Sequence, residues 1–317
     1  MKTTGRLTIF CFTGKSAIFF MGAILLLSTI FSGCKTMEAV TNIGTSIGVA
    51  TGKITESEAE SISKSAKVVA KTFEDFTPEQ EYYIGRTIAA VILNKYRPHD
   101  DKKANDYVNL LGQTLAKASD MPETFGGYHF LIQNSDEINA LAAPGGLIFI
   151  TRGMLNLCKT EDAVAAVLAH EIGHVQAKHG LQAIKKSRVT SAITTLGVEG
   201  AKSSGGKKLA GLTKTFENSI ADITATLINN GYSRNFERQA DEAAVAILAR
   251  VGYDPNGLVD MLKLMSKNLK PGGHDFAKTH PSPLNRIADI QKIIGSYATV
   301  DRPEARQQRF MAALGGI

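Results

Sequence analysis

Residues 163–179, which read AVAAVLAHEIGHVQAKH, decide how this chain folds and what chemistry it can perform. The run is almost wholly apolar before its first histidine. Thr160 can cap a helix whose first turn holds Glu161 and Asp162, and Gly180 is a suitable end for it. These features predict a helix that is buried on all sides.

Within this helix His170 and His174 are four residues apart and therefore lie on one face, one turn above the other. At that spacing two imidazoles can bind a single zinc ion. Glu171, one step round the helix, can direct its carboxylate at water beside the metal. Because these three groups are costly to bury without partners, a metal ion explains the run better than chance does.

A tetrahedral zinc site needs at least one more protein ligand than these two histidines. A third histidine ten residues after the first is not found, since that position is Gly180. The neighbouring His179 is interpreted as a residue that caps carbonyl groups at the helix end. A ligand role for His179 is the alternative, and a better candidate for the third ligand lies further along the chain.

Residues 233–244, SRNFERQADEAA, predict a second helix that Ser233 or Asn235 can cap, with Glu237 and Asp241 four apart on one face. Glu237 would bind the metal, and Asp241 would accept a hydrogen bond from a histidine N–H group. Small side chains that permit close helix approach are Ala240, Ala243 and Ala244. A solvated, charged helix face is the open alternative for the same run.

The rest of the chain predicts an α+β fold, a mainly helical domain with a small β-sheet beside the histidine helix. Helices are expected over 78–96 and 103–117 from their apolar spacing. The period then changes to two, which predicts strands at 128–132 and 147–151. Pro144-Gly145-Gly146 separates them, and nearly every later periodic stretch is helical.

HEIGH followed by ERQAD resembles the gluzincin zinc metallopeptidases of peptidase family M48, which includes HtpX and the Ste-type CAAX proteases. The resemblance is to the soluble lipoprotein branch and covers about residues 77–290. Further stretches that carry it are 138–148, 252–255 and 279–287.

The resemblance implies one zinc ion per chain, bound by His170, His174 and Glu237, with Glu171 catalytic and Asp241 orienting His170. It also suggests a role at the substrate or transition state for four residues: Asn139, Ala140, His280 and Arg286. For the last two the alternative is a turn packed by prolines, in which Arg286 braces the fold. A zincin (gluzincin) fold is the implied architecture.

These assignments predict a zinc metalloendopeptidase in which Glu171 takes a proton from water and passes it to the departing amine. Its expected substrates are unfolded or misassembled envelope proteins, bound as an added strand beside 140–143. A zinc-binding, non-proteolytic holdase is the alternative function. A metal-free structural lipoprotein is disfavoured because it would leave HEIGH unexplained. A deformylase would draw its third ligand from an upstream cysteine, and Cys158, the only such residue in the predicted domain, does not stand in a fitting sequence context.

The N-terminus predicts export. Three basic residues precede the apolar run 16–31, and Ser32-Gly33-Cys34 resembles a bacterial lipobox in which Cys34 is lipidated. An uncleaved membrane anchor is the alternative. The net charge of +6 falls to +3 without the basic residues of this leader, which is too weak and dispersed for nucleic-acid binding.

The predicted organisation is a signal peptide (1–33), a lipid-anchored tether with an amphipathic helix (34–76), a metallopeptidase domain (77–300) and a C-terminal tail (301–317). Residues 181–230 are predicted to form a mobile lid, with an ordinary loop as the alternative. By resemblance we expect the protein at the periplasmic face of the outer membrane. Its partners would be protein substrates and the membrane, reached through the N-terminal lipid.

Overall fold

A computed structural model of the protein describes residues 75–187, 231–268, 280, 283–295 and 304–317, together with parts of 42–63. The chain divides into two compact units, one of residues 1–75 and 189–213 and the other of 76–188 and 214–317. In the first unit, residues 45–50 are helical. The export signal, Cys34 and most of the predicted lid lie outside the described residues.

The second unit is mainly helical. Its elements in chain order are α1 (Pro78–Lys95), α2 (Lys102–Lys117), β1 (His129–Gln133), β2 (Ala140–Ala143), β3 (Leu147–Thr151), α3 (Arg152–Leu157), α4 (Glu161–Gln176), α5 (Arg234–Val251), α6 (Asn256–Asn268), α7 (Pro283–Ile294) and α8 (Glu304–Leu314). Residues 179–187 are also helical. The predicted α+β class is confirmed, and the expected bounds of α2 and β1 differ from the observed ones by one residue.

Polar side chains fix where the helices begin. Thr77 caps α1 in a reciprocal arrangement, in which its hydroxyl accepts from the Gln80 N–H and the Gln80 side chain accepts from the Thr77 N–H. Thr160 accepts from the Ala163 N–H at the start of α4, as the sequence predicts.

The sheet has three strands in the order β1-β3-β2, with β1 parallel and β2 antiparallel to β3. The turn from β2 to β3 contains Gly145 and Gly146 at φ values of 78° and 91°, a conformation that favours glycine. The order leaves the outer edge of β2 without a partner strand among the residues that the structure describes. Of the three strands, β2 packs most extensively against the histidine helix α4.

Each face of the sheet is covered by helices. Phe130, Ile132 and Ile148 pack in the cluster that includes residues of α2 and α4. Leu141 and Phe149 pack on the opposite side against α1 and the helical residues 179–187. The sheet is thus buried between two hydrophobic clusters, which fixes β2 beside α4.

Helix α4 is the centre of the larger cluster, and every residue from Glu161 to Val175 is buried. Helix α5 crosses it closely at Gly173, where a Cβ atom would lie 2.8 Å from the carbonyl oxygen of Ala240 and 3.1 Å from the Ala243 Cβ. This confirms the close approach that the small residues of α5 predict. It brings the first turns of α5 against the two histidines.

The predicted C-terminal tail contains α8, whose Phe310 and Leu314 pack in the same cluster as α4. Its Arg309 donates through Nε to Oε2 of the buried Glu161 over 2.7 Å, at the start of α4. Among the described residues, no helix combines the length and the apolar character needed to span a membrane.

Candidate metal centre

The two histidines of α4 face a common point in the protein interior. Their Nε2 atoms are 3.1 Å apart, and His170 and His174 are 0% and 1% exposed. Their rings meet edge to face at 4.7 Å between centroids. The helical spacing of four therefore places both imidazole nitrogens at one site, as the sequence predicts.

Helix α5 brings a carboxylate to the same point. Ser233 caps the helix by accepting from the Phe236 N–H. One turn later Glu237 places Oε2 3.5 Å from the His170 Nε2 and Oε1 3.5 Å from the His174 Nε2. Glu237 is 1% exposed, so the alternative of a solvated acidic face is wrong for this residue.

A fourth donor comes from His280. Its Nδ1 lies 3.2 Å from the His170 Nε2 and 3.0 Å from the Glu237 Oε1. Ligand atoms of His170, His174, Glu237 and His280 all lie within 4.8 Å of one another. The family resemblance suggests a substrate role for His280 instead, and that role stays a prediction.

The distances between these donors fit a zinc ion. A tetrahedron with metal–ligand bonds of about 2.0–2.1 Å has edges of about 3.4 Å. Separations of 3.0 to 3.5 Å join the donor atom of His170 to the other three donors, and Glu237 to His174 and His280. Two or three imidazole nitrogens with one carboxylate oxygen are also a donor set that zinc favours.

Glu171 lies beside the four donors. It is 0% exposed, and neither of its carboxylate oxygens has a hydrogen-bond partner among the described residues. The His280 Nε2 lies 3.5 Å from Oε1. Burial raises the pKa of the Glu171 carboxyl, which makes its carboxylate a better proton acceptor.

Asp241 lies beside His170, where its predicted orienting role requires it to be. The His170 Nδ1 lies 3.0 Å from the Asp241 Oδ1, so this nitrogen donates and leaves Nε2 to face the site. Arg286 in turn holds Asp241 through Nε at 2.8 Å and Nη2 at 2.6 Å, and its Nη1 lies 3.0 Å from the Glu237 Oε2. Arg286 is buried among these carboxylates, and its predicted role at the substrate stays a prediction.

These contacts shift the pKa values of the ionisable side chains at the site in different directions. Burial and the Arg286 charge lower the pKa of His170, but hydrogen bonds to Asp241 and Glu237 outweigh them and raise it to about 9. Burial holds the pKa of His174 well below its ordinary value. Burial would raise the pKa of Asp241, yet the Arg286 charge and the hydrogen bonds from His170 and Arg286 lower it. The carboxylates of Asp241 and Glu237 therefore favour the binding of a proton or a metal ion at the His170 Nε2.

The predicted strand residues lie beside this centre. Asn139 is buried, and its backbone is bonded to Thr151. Ala140 pairs with Ile150 in the ladder between β2 and β3. A cavity next to His174 is lined by residues of β2 and the turn after it, including Ala142, Ala143 and Pro144.

Two contacts of His174 were not predicted. The interpretation of His179 as a helix cap is wrong, because its ring nitrogens face the His174 Nδ1 at 2.9 Å and the Gln239 Oε1 at 2.8 Å. The Tyr232 ring stacks on His174 with 4.2 Å between centroids. The spacing of single residues in the sequence gives no signal for either contact.

Comparison with known proteins places the centre in a family. The sequence profile of peptidase family M48 matches residues 102–294. The chain is 29% identical over 198 residues to the beta-barrel assembly-enhancing protease of Escherichia coli (strain K12), with 61% of this chain and 39% of that protein covered. It is 31% identical over 177 residues to the mitochondrial metalloendopeptidase OMA1 of Schizosaccharomyces pombe, with 54% and 45% covered.

The chain spans less than half the length of these curated relatives. The profile match nevertheless includes all the donors of the centre, from His170 to His280. It confirms the predicted family. Since the matched residues make up more than half of the sequence, the chain belongs to peptidase family M48.

Proposed function

We propose that this protein is a zinc-dependent metalloendopeptidase that cleaves unfolded or misassembled proteins of the cell envelope while anchored to a membrane. The observation that carries the proposal is the set of donors from α4 and α5, which meet at the edge lengths of a zinc tetrahedron beside the unpartnered carboxylate of Glu171. This arrangement combines a Lewis-acid site with a proton acceptor in a buried setting.

Zinc bound by His170, His174 and Glu237 would supply a Lewis acid that acidifies water to a pKa of about 7 and polarises a peptide carbonyl. Glu171 takes the proton of the attacking water on a carboxylate oxygen and then delivers it to the departing amine nitrogen. Asp241 keeps the proton of His170 on Nδ1 during these steps.

The substrate binds in extended form along the outer edge of β2. That edge has no partner strand in the described part of the chain, and Ala142 and Ala143 line a small cavity of about 10 Å³ that His174 also lines. Recognition through main-chain hydrogen bonds selects extended backbone more than side-chain sequence. Unfolded and misassembled proteins offer such segments, whereas folded proteins bury them.

The envelope location rests on the leader and on a relative. The basic residues, the run 16–31 and Cys34 support export and lipidation. One relative is named for enhancing the assembly of beta-barrels. These features support a location at the periplasmic face of the outer membrane, with a tether through Cys34.

The test compares the zinc-loaded wild type with Glu171→Gln, which keeps the size of the side chain and removes its basicity. An unfolded protein such as reduced casein should be cleaved by the wild type, and the variant should lose at least about 100-fold in kcat. Glu242→Gln, an exposed position on α5, serves as the matched control and should cleave normally. Equal cleavage by Glu171→Gln, or no cleavage by any zinc-loaded form, would refute the proposal. Suppressed aggregation without cleavage would instead favour the holdase.

A further inference from the structure

Each histidine that binds a metal has a second ring nitrogen, whose partner decides which nitrogen carries the proton. His170 has an acidic partner, Asp241. The partner of His174 is a neutral histidine: the Nδ1 atoms of His174 and His179 are 2.9 Å apart. The other nitrogen of His179, Nε2, lies 2.8 Å from the Gln239 Oε1.

These three residues form a chain in which the position of each proton follows from its neighbour. The carbonyl oxygen of Gln239 can only accept, so the Nε2 of His179 must carry a hydrogen. A neutral imidazole carries one, so the Nδ1 of His179 accepts. His174 must then donate from Nδ1, which leaves the lone pair of its Nε2 directed at the metal centre.

The opposite direction of the chain does not suit a metal. A hydrogen on the Nδ1 of His179 would require a bare Nδ1 on His174 and a hydrogen on its Nε2. That hydrogen would point at the His170 Nε2, 3.1 Å away, where the metal belongs. Only the direction set by an accepting Gln239 oxygen leaves His174 able to bind.

The backbone adopts an uncommon conformation where it brings His179 to this place. Lys178 has a φ of 53°, the single positive value at a non-glycine position among the described residues. Such a conformation costs about 1–2 kcal/mol for a residue with a side chain. It ends α4 and turns the chain, so that the ring of His179 returns to His174 five residues earlier.

Helix α5 holds the ring of His179 from the other side. Phe236 stacks on it with 4.3 Å between centroids and 12° between planes. Phe236 and Gln239 flank Glu237 on the same helix, so α5 supplies a metal ligand and also the contacts that orient His179. His179 itself is 0% exposed, so bulk solvent does not compete for its ring nitrogens.

We propose that Gln239 and His179 act in series as positioning residues that keep the proton of His174 on Nδ1 and its Nε2 free for zinc. The inference rests on the proposed metal site and is independent of peptide hydrolysis. His179 binds neither the metal nor the substrate. Its effect reaches the metal only through His174.

A crossed pair of substitutions at His179 separates this role from packing. His179→Phe keeps an aromatic ring for Phe236 but offers no acceptor, whereas His179→Asn loses the ring and keeps an oxygen near the place of Nδ1. The zinc dissociation constant, measured by competition with a chromophoric chelator, should rise about 10- to 100-fold in the Phe variant. It should stay within about threefold of wild type in the Asn variant. A packing role predicts the reverse order.

A second pair tests the outer link without touching the ring. Gln239→Met removes the acceptor, and Gln239→Glu keeps one; we expect about tenfold weaker zinc binding in the first and near-wild-type affinity in the second. The visible spectrum of the cobalt-substituted protein reports loss of a nitrogen ligand, which a merely structural change would not produce. Thermal unfolding of each metal-free variant shows that it is folded.

The outcomes are distinct. A wild type that binds no zinc refutes the proposed function itself. If the wild type binds zinc and both His179→Phe and Gln239→Met match its affinity and cobalt spectrum, the positioning role is wrong while the proposed function stands. Equal losses in His179→Phe and His179→Asn would also overturn it, because the acceptor would then have failed to rescue binding.

Discussion

Replacing Gly173 by alanine should weaken zinc binding although residue 173 contacts no ligand atom. A Cβ at this position would lie 2.8 Å from the Ala240 carbonyl oxygen and 3.0 Å from the Ala240 Cα. Carbon contacts are ordinarily about 3.5–4.0 Å, so α5 would have to retreat from α4 by about 0.5–1 Å. Glu237 lies one turn before Ala240 on α5 and would move with it.

This displacement of α5 would affect the stability of the protein and its metal binding to different extents. Overpacking costs about 1–3 kcal/mol, while the higher helix propensity of alanine returns about 1 kcal/mol. The metal-free variant should therefore lose between about 0 and 2 kcal/mol in its free energy of unfolding. Zinc ligands tolerate displacements of only about 0.2 Å, so the dissociation constant should rise at least about tenfold.

Zinc competition with a chelator and urea unfolding in EDTA measure the two effects. Gly295→Ala is the control, since a Cβ there meets only carbonyls of its own helix at 3.6 Å. Zinc affinity equal to wild type in Gly173→Ala, with stability no lower than that of the control, would refute the idea that this helix crossing positions Glu237.

Three further outcomes are expected. Asp241→Asn should weaken zinc binding about 10- to 100-fold, because His170 loses its anionic acceptor and Arg286 its main partner; undiminished affinity in a chelator titration would contradict this. Arg309→Met should lower the free energy of unfolding by about 1 kcal/mol, since Tyr107 and Tyr253 still donate to Glu161. The control Lys292→Met removes an exposed ion pair and should change the free energy of unfolding by less than about 0.5 kcal/mol in the same urea titration. Equal losses of stability in the two variants would argue against a stabilising contact between Arg309 and Glu161. Burial raises the pKa of the Cys158 thiol to about 12, so iodoacetamide at pH 8 should label it only after unfolding, as mass spectrometry would detect. The pKa of the thiol is higher in the folded protein than in the unfolded one, where it is near 8.5. The contribution of the buried neutral thiol to stability is therefore complete below about pH 8.5 and is lost as the pH rises toward 12. Rapid labelling of the native protein would contradict the burial of Cys158.

Much of the metal centre could be predicted because helical periodicity is a local property. The spacing of four places His170 with His174 and Glu237 with Asp241, and the small residues of α5 indicate a close crossing. Strands β1 and β3 and the glycine turn before β3 also follow from local pattern, whereas β2 was not predicted from it. The prediction that α4 and α5 meet at one metal ion came from the family resemblance rather than from the spacing of residues.

Long-range contacts and unusual backbone conformations could not be predicted in this way. A positive φ is expected of glycine, so Lys178 gave no sign that His179 turns back toward His174. The bond between Arg309 and Glu161 spans 148 residues and has no local signature. The order of the strands, with β2 at an edge, likewise depends on packing against α1 and α4.

An anomalous difference map at the zinc absorption edge, from crystals of the protein grown with zinc, would show whether α4 and α5 together bind the ion. We expect one peak per chain, about 2.0–2.1 Å from the His170 Nε2, the His174 Nε2 and a Glu237 carboxylate oxygen. A map with no peak between α4 and α5, or one in which Glu237 faces solvent, would contradict it.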